Sequence, residues 1–324
     1  VTAVAAPAQP LLTATGLRKR FGNGVKAVDD VSLTVFPGET LGIVGESGCG
    51  KSTTAKLMLR LLKPDAGTLR FDGEDLGAAR GAALRRLRGR LQVVPQHPMT
   101  SLNPRLSIGA SVEFNMRAQG VSRTERAAKV RDLLERVGLP ARHAERFPHE
   151  LSGGQLQRVA IARALSTDPD LVICDEAVSA LDKSVQAQVL NLLVELQQEL
   201  GMAYVFISHD LTVVEHMSDR VAVMYLGKVV EEASAADLWR NPKHPYTQAL
   251  LSAVPGREGN RIVLMGDPPS PVDPPSGCRF RTRCALAVTA CETWEPPLEP
   301  TRDDPDHLVA CLHVKPGAPP VTTA

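Results

Sequence analysis

The stretch GESGCGKS (residues 45–52) lies between an apolar, strand-like run, TLGIV, and a helix-like run, TTAKLMLRLL. This G-x-x-x-x-G-K-[ST] spacing in that setting demands strand, tight loop and helix in succession. The glycines let successive backbone N–H groups converge on one anion, and the following helix adds its positive end. Lys51 offers a cation to outer phosphates, and Ser52 offers a hydroxyl to Mg²⁺. Composition alone would give the spacing in about one chain in a hundred of this length, and the flanks make chance rarer still. Gly45, Glu46, Ser47, Gly48, Cys49, Gly50, Lys51, Ser52 and Thr53 are therefore the candidate phosphate cradle.

Two further stretches fit the same chemistry. LVICDE is an apolar run ending in Asp175 and Glu176, and the carboxyl end of a parallel strand is where such a sheet presents its ligands. Asp175 is placed to hold Mg²⁺ through its water shell, and Glu176 to polarise an attacking water. LSGGQLQR begins with Leu151 and carries Ser152, Gly153, Gly154 and Gln155. Ser152 is a good helix N-cap, and the two glycines leave backbone N–H groups uncovered at a positive helix end. That makes a second phosphate-binding surface in one chain. The simplest way to use both is a head-to-tail dimer with nucleotide between them.

The rest of the chain sets these motifs in an α/β frame. An AVDDVSLTV run alternates like a strand, and Asp72-Gly73 marks a hairpin. RLQVVPQ, DLVICDE, MAYVFISHD and RVAVMYLGKVVEE read as short apolar strands of a mostly parallel sheet. From Ile108 to about Val137 the apolar spacing turns helical, which predicts a helical insertion. The core is expected to close near Glu232, followed by a Pro-rich connector, GDPPSPVDPPSG, and a small terminal module from about Cys278. Lys plus Arg (37) balances Asp plus Glu (36), which offers no basic track for nucleic acid. The VTAVAAPAQP leader has neither a basic region nor an apolar core, so a cytosolic location is expected.

Taken together, these motifs resemble those of the ATP-binding subunit of ABC transporters, with the likeness running over about residues 11–232. The resemblance implies a P-loop NTPase fold: a mostly parallel core sheet, an antiparallel β subdomain and an inserted helical subdomain at about 97–160, within a nucleotide-binding domain of 11–235. It also implies roles for matching residues. Gln96 resembles the glutamine that senses Mg²⁺ and attacking water, and His209 in FISHD the histidine that contacts the terminal phosphate. Asp182 closes SALD, which resembles the loop that crosses the dimer interface, and Phe21 stands where an aromatic stacks on adenine. ATP and Mg²⁺ are the implied cofactors, and Glu176, His209 and Gln96 the implied catalytic residues. Departures from the family pattern include Ala177, Lys183, Leu156, Pro95 and His97, none of which removes a catalytic group.

TSLNPRLSIG, SVQAQVLNLL, HPYTQALLSAVP and the terminal GCRFRTRC are similar in particular to oligopeptide/dipeptide importers. That likeness implies ATP-driven import of peptides at the cytoplasmic face of the membrane. The implied partners are two membrane-spanning permease subunits, a second, non-identical ATP-binding subunit and an extracytoplasmic peptide-binding protein. It also implies a C-terminal extension over 236–324. Related importers carry nickel or glutathione. ABC-type ATPases that act on DNA separate their motifs with long coiled coils, whereas only about 55 residues lie between Gln96 and Leu151 here.

Cys278, Cys284, Cys291 and Cys311 are separated by five, six and nineteen residues. A disulfide framework is disfavoured in a reducing compartment. Structural zinc normally uses a C-x₂₋₄-C knuckle, absent here, although His307 and His313 are available as substitutes. Four thiolates without tight knuckles suit an iron–sulfur cluster better, and some peptide-importer ATPases resembling this chain carry a [4Fe-4S] there. Plain thiols packing a small module are the alternative. Arg279, Arg281 and Arg283 either offset a cluster's charge or form a solvated face.

Overall fold

The computed structural model describes residues 9–256 and 260–314. Two compact units interleave along the chain. The first comprises the chain up to Thr13, Thr34–Glu39 and Leu69–Phe206; the second comprises Ala14–Leu33, Thr40–Thr68 and the chain from Ile207 onward.

The chain opens with β1 (Leu12–Arg20), β2 (Lys26–Val35) and β3 (Thr40–Val44), then helix α1 (Lys51–Met58). β4 (Ala66–Phe71) and β5 (Glu74–Asp75) form the hairpin expected at Asp72-Gly73, with Phe71 opposite Glu74. Asp72 and Gly73 have φ of 48° and 74°, the two left-handed residues of a type I′ turn. β1 and β2 neighbour each other in a sheet separate from that of β3.

In the first unit, α2 (Gly81–Arg90) runs into β6 (Leu91–Val94), and a helical stretch follows: α3 (Pro98–Ser101), α4 (Ile108–Val112), α5 (Phe114–Ala118), α6 (Arg123–Arg136) and α7 (Gly153–Leu165). The helical insertion read from apolar spacing is therefore present. Ser122 accepts the Glu125 N–H at 3.3 Å to start α6, which buries Val130, Leu133 and Leu134. Next come β7 (Leu171–Asp175), α8 (Lys183–Leu200) and β8 (Ala203–Ile207). β6 and β7 pair in parallel from Leu91↔Leu171 to Val94↔Cys174, and β8 is buried throughout. Strands covered on both faces have no polar side to present, which is why these runs lack alternation.

The second unit continues through α9 (Leu211–Met217), β9 (Arg220–Tyr225), β10 (Lys228–Ser234), α10 (Ala235–Arg240), α11 (Pro245–Ser252), α12 (Ala290–Thr293), β11 (Glu299–Pro300) and β12 (Leu308–Val309). Its strands lie in the order β11-β12-β10-β9-β3, with β3 parallel to β9 and the other pairs antiparallel. Two features depart from the sequence reading. RVAVMYLGKVVEE is a hairpin, turned at Leu226-Gly227 with φ of 42° and 79°. A leucine rarely adopts that conformation, so the turn carried no composition signal. The sheet also does not end near Glu232, because β12 pairs with β10 through Glu231↔Val309 and Glu232↔Leu308. The C-terminal segment thus adds to the sheet.

Glu231 lies fully buried on β10. Its carboxylate accepts the backbone N–H groups of Lys243 (2.6 Å) and His244 (3.0 Å), and His307 Nε2 stands 2.7 Å away. A buried carboxylate needs such partners, and these tie β10 to the entry of α11 and to the chain before β12. Tyr225, Tyr246 and Phe280 pack around one another with ring centroids 4.6–5.4 Å apart, which joins β9, α11 and the cysteine segment in one aromatic cluster.

Candidate functional site

In the second unit, the segment between β3 and α1 is held by backbone contacts that leave no room for side chains at two glycines. A Cβ on Gly45 would stand 2.2 Å from the Met224 carbonyl oxygen, and one on Gly50 2.2 Å from that of Ala27. Both have positive φ, 148° and 110°. Lys51, the first residue of α1, is buried, and its Nζ donates to the carbonyls of Gly45 (2.7 Å) and Glu46 (3.0 Å). The loop therefore closes over its own ammonium group. Cys49 lies in the same fold, with its carbonyl accepting the Gly227 N–H at 2.8 Å. Burial pushes its thiol pKa up against the opposing pull of Lys51, which makes it an inert packing residue. Ser52 and Thr53 are half-buried on the first turn of the helix.

In the first unit, Gln96 and Glu176 meet although 80 residues separate them: Gln96 Nε2 donates to Glu176 Oε2 at 2.6 Å. Ser179 Oγ donates to the Glu176 carbonyl at 3.0 Å. Glu176 follows β7 with φ of 50°, a left-handed conformation that turns its side chain off the line of the strand. Asp175 ends β7 and is half-buried. Ser152 is the N-cap of α7, as expected, and forms a reciprocal capping box with Gln155: Gln155 N–H to Ser152 Oγ at 3.4 Å, Ser152 N–H to Gln155 Oε1 at 3.1 Å. A Cβ on Gly153 would meet nothing within 4 Å, whereas one on Gly154 would stand 2.5 Å from Val185 Cγ1. Leu156, the apolar departure in this motif, is buried, which accounts for it. Asp182 caps α8 by accepting the Val185 N–H at 2.9 Å, and that bond holds its carboxyl below the usual carboxylate range.

His209 is exposed after β8 and precedes Asp210, the N-cap of α9. Phe21 is 38% exposed in the tight loop after β1, where its N–H and carbonyl bond Val25 and Gly24. The ring is therefore not part of the hydrophobic core.

The four C-terminal cysteines are free thiols that line one pocket with Phe280 and Trp294. Among the described residues, no group of three or more His, Cys, Asp or Glu stands so as to hold a metal ion. His307 is directed at Glu231, and His313 Nε2 lies 2.6 Å from the Leu286 carbonyl, so both histidines have other engagements. Burial pushes the Cys278 and Cys284 thiols up and Cys311 up to about 12. Of the arginines that alternate with the cysteines, Arg279 is buried and bonds Leu226 and Asp29, Arg283 is half-buried and bonds Glu46, and Arg281 bonds the Ser276 carbonyl at the surface. The sequence singled these arginines out by their alternation with the cysteines but gave no sign of their partners.

Among the described residues, no helix is long and apolar enough to cross a membrane.

The ABC transporter family profile matches residues 28–179, and the profile for the C-terminal region of oligopeptide/dipeptide transporters matches residues 230–291. AppF of Bacillus subtilis, an oligopeptide transport ATP-binding protein, is 51% identical over 306 residues, covering 92% of this chain and 92% of that protein. DppF of Haemophilus influenzae, a dipeptide transport ATP-binding protein, is 47% identical, covering 94% and 97%. A putative peptide import ATP-binding protein of Brucella ovis is 48% identical, covering 94% and 98%. Among solved structures, cbiO1 of Clostridium perfringens, part of the ABC transporter complex cbiONQ, superposes with a TM-score of 0.65 at 29% identity over 72% of this chain and 91% of that one. The ATP-binding cassette MJ0796, in a dimeric post-hydrolysis state bound to ADP and Pi, gives 0.64 at 30% identity over 69% and 98%. The relatives match over nearly their whole length, and the profile of the C-terminal region reaches residue 291; the chain belongs to the oligopeptide/dipeptide branch of the ATP-binding subunits of ABC transporters.

Proposed function

We propose that this chain binds and hydrolyses ATP to drive import of peptides through an ABC transporter. The observation that carries the catalytic half is the 2.6 Å bond from Gln96 to Glu176, because it sets a carboxylate and an amide beside one another at the end of a buried strand. Glu176 acts as the general base on the attacking water, and Gln96 orients that carboxylate and senses the metal. Lys51 and backbone N–H groups from within residues 47–53 hold the β- and γ-phosphates, His209 contacts the terminal phosphate, and the exposed ring of Phe21 stacks on adenine. Ser152, Gly153, Gly154, Gln155 and Asp182 serve a nucleotide held mainly by a second ATP-binding subunit in a head-to-tail dimer. The open space around Gly153 at the start of a 13-residue helix favours that use.

Ser52, Asp175 and Gln96 supply only oxygen ligands, the donor set that suits Mg²⁺. These residues would hold Mg²⁺, which would neutralise phosphate charge.

The partners we infer are two permease subunits, a second, non-identical ATPase and an extracytoplasmic peptide-binding protein, with this chain peripheral at the cytoplasmic face. No nucleic acid is involved. We assign the nucleotide-binding domain to 11–235, with the helical subdomain at about 97–160, and the importer-type extension to 236–324. A nickel or glutathione cargo is the alternative within the same subunit role. Replacing Glu176 with Gln in the assembled transporter tests the reading: turnover should fall by at least a hundredfold with ATP still bound.

For the cysteine pocket we propose a [4Fe-4S] cluster held by Cys278, Cys284, Cys291 and Cys311. What supports this reading is that the four thiols, none in a disulfide, line one pocket. The cluster would supply a cross-link among distant segments, and no step of hydrolysis passes through it. Anaerobic isolation with iron and sulfide analysis tests this: a colourless, iron-free protein contradicts it.

A further inference from the structure

The phosphate loop contributes one carboxylate, that of Glu46, and the C-terminal part of the second unit grips this residue twice. Its backbone N–H donates to the Tyr246 hydroxyl on α11 at 2.8 Å. Its carboxylate receives both arms of the Arg283 guanidinium, Nη1 to Oε2 at 2.8 Å and Nη2 to Oε1 at 3.2 Å, across 237 residues of sequence. The Arg283 side chain is 7% exposed and that of Glu46 26%, so water screens the pair only in part. The Glu46 carbonyl meanwhile accepts from Lys51 Nζ at 3.0 Å. One residue therefore links the cysteine segment to the phosphate-binding lysine.

A second arginine braces the same region. Arg279 donates to the Leu226 carbonyl and to Asp29, and the adjacent Gly227 N–H holds the Cys49 carbonyl of the loop at 2.8 Å. The two arginines flank Phe280 of the aromatic cluster, and Arg283 directly precedes Cys284. A bidentate fork of this kind fixes both the position and the plane of a carboxylate, which a lysine cannot do.

Electrostatics gives the arrangement a direction. An unpaired carboxylate in a loop that receives a triphosphate repels it; a carboxylate neutralised from behind does not. We propose that Arg283 is a positioning residue for ATP: by neutralising and orienting Glu46, the C-terminal cysteine module sets the nucleotide affinity of the phosphate loop. The inference rests on the reading that residues 45–53 take the phosphates of ATP.

The test is equilibrium binding of a fluorescent ATP analogue with Mg²⁺ to the full chain, for wild type, Arg283→Gln, Arg283→Lys, Glu46→Gln, the Glu46→Gln/Arg283→Gln pair and Lys51→Ala, each checked for folding by circular dichroism. Arg283→Gln should weaken binding about tenfold, because the carboxylate is left unpaired. Arg283→Lys should recover part of the loss. The double variant should bind more tightly than Arg283→Gln alone, which is non-additive, since removing the charge removes the need for its partner. In the assembled transporter, Arg283→Gln should raise KM for ATP and leave kcat within about twofold. If Arg283→Gln does not fold, the comparison of Arg283→Lys with and without Glu46→Gln reads the same coupling. Wild-type binding by the folded Arg283 variants, or additive losses in the double variant, overturns the inference. Loss of binding in Lys51→Ala with no effect at Arg283 sinks this inference alone. Full binding by Lys51→Ala sinks the phosphate-loop reading and this inference with it.

Discussion

Gln96 Nε2 donates to Glu176 Oε2 at 2.6 Å, and Glu176 reaches that bond from a left-handed backbone conformation with φ of 50°. A carboxylate so held presents one defined oxygen to the amide. Replacing Gln96 with Ala should therefore lower kcat for ATP hydrolysis by about ten- to a hundredfold while leaving nucleotide affinity nearly unchanged, because orientation is lost and the base remains. Steady-state ATPase assays with parallel binding measurements separate the two quantities. An unchanged kcat would remove Gln96 from the catalytic account.

Glu231 is a structural counterpart, buried with two backbone N–H groups and His307 converging on it. Glu231→Ala strands those buried donors and should cost about 3 kcal/mol or more; Glu231→Gln keeps an acceptor and should cost less. Denaturant unfolding checks the order. Equal, small losses for both would show that the carboxylate does not anchor α11 and β12.

His244 caps α11 through Nδ1, which accepts the Tyr246 N–H at 3.1 Å. Burial holds its pKa down to about 4, against the opposing pull of Glu231. The unfolded chain, with an ordinary value near 6.5, then takes up the proton first as pH falls. Its contribution is complete above about pH 6.5 and declines towards pH 4, by about 2 kcal/mol between pH 6.5 and 5. His244→Asn keeps a capping acceptor without a titrating ring, so its stability should fall less steeply over that range. Parallel thermal melts at pH 7 and pH 5 compare the slopes, and identical slopes would refute the assignment.

How far the sequence could be read depended on how local each feature is. Residues 45–52 and 151–155 are short, contiguous patterns whose backbone demands are visible in their glycines and flanking periodicity. The Asp72-Gly73 turn was legible for the same reason, whereas the Leu226-Gly227 turn was not, because tertiary bonds from Arg279 and to Cys49 hold a leucine where composition predicts none. The contact between Gln96 and Glu176, 80 residues apart, was not legible; resemblance gave Gln96 a role, and the strand end gave Glu176 one, but neither paired them. Arg283 and Glu46 lie 237 residues apart with no shared motif, so nothing local announces their pairing. β12 has two residues, too few for any periodicity to register.

The central claim is that this chain hydrolyses ATP with Glu176 as the base and couples that hydrolysis to peptide import. The direct measurement is ATP turnover and peptide uptake by the transporter reconstituted with its permease and binding-protein partners, comparing wild type with Glu176→Gln. The account predicts that the variant still binds ATP but loses both activities together, by at least a hundredfold in turnover. Turnover and uptake at wild-type rates in Glu176→Gln would contradict it.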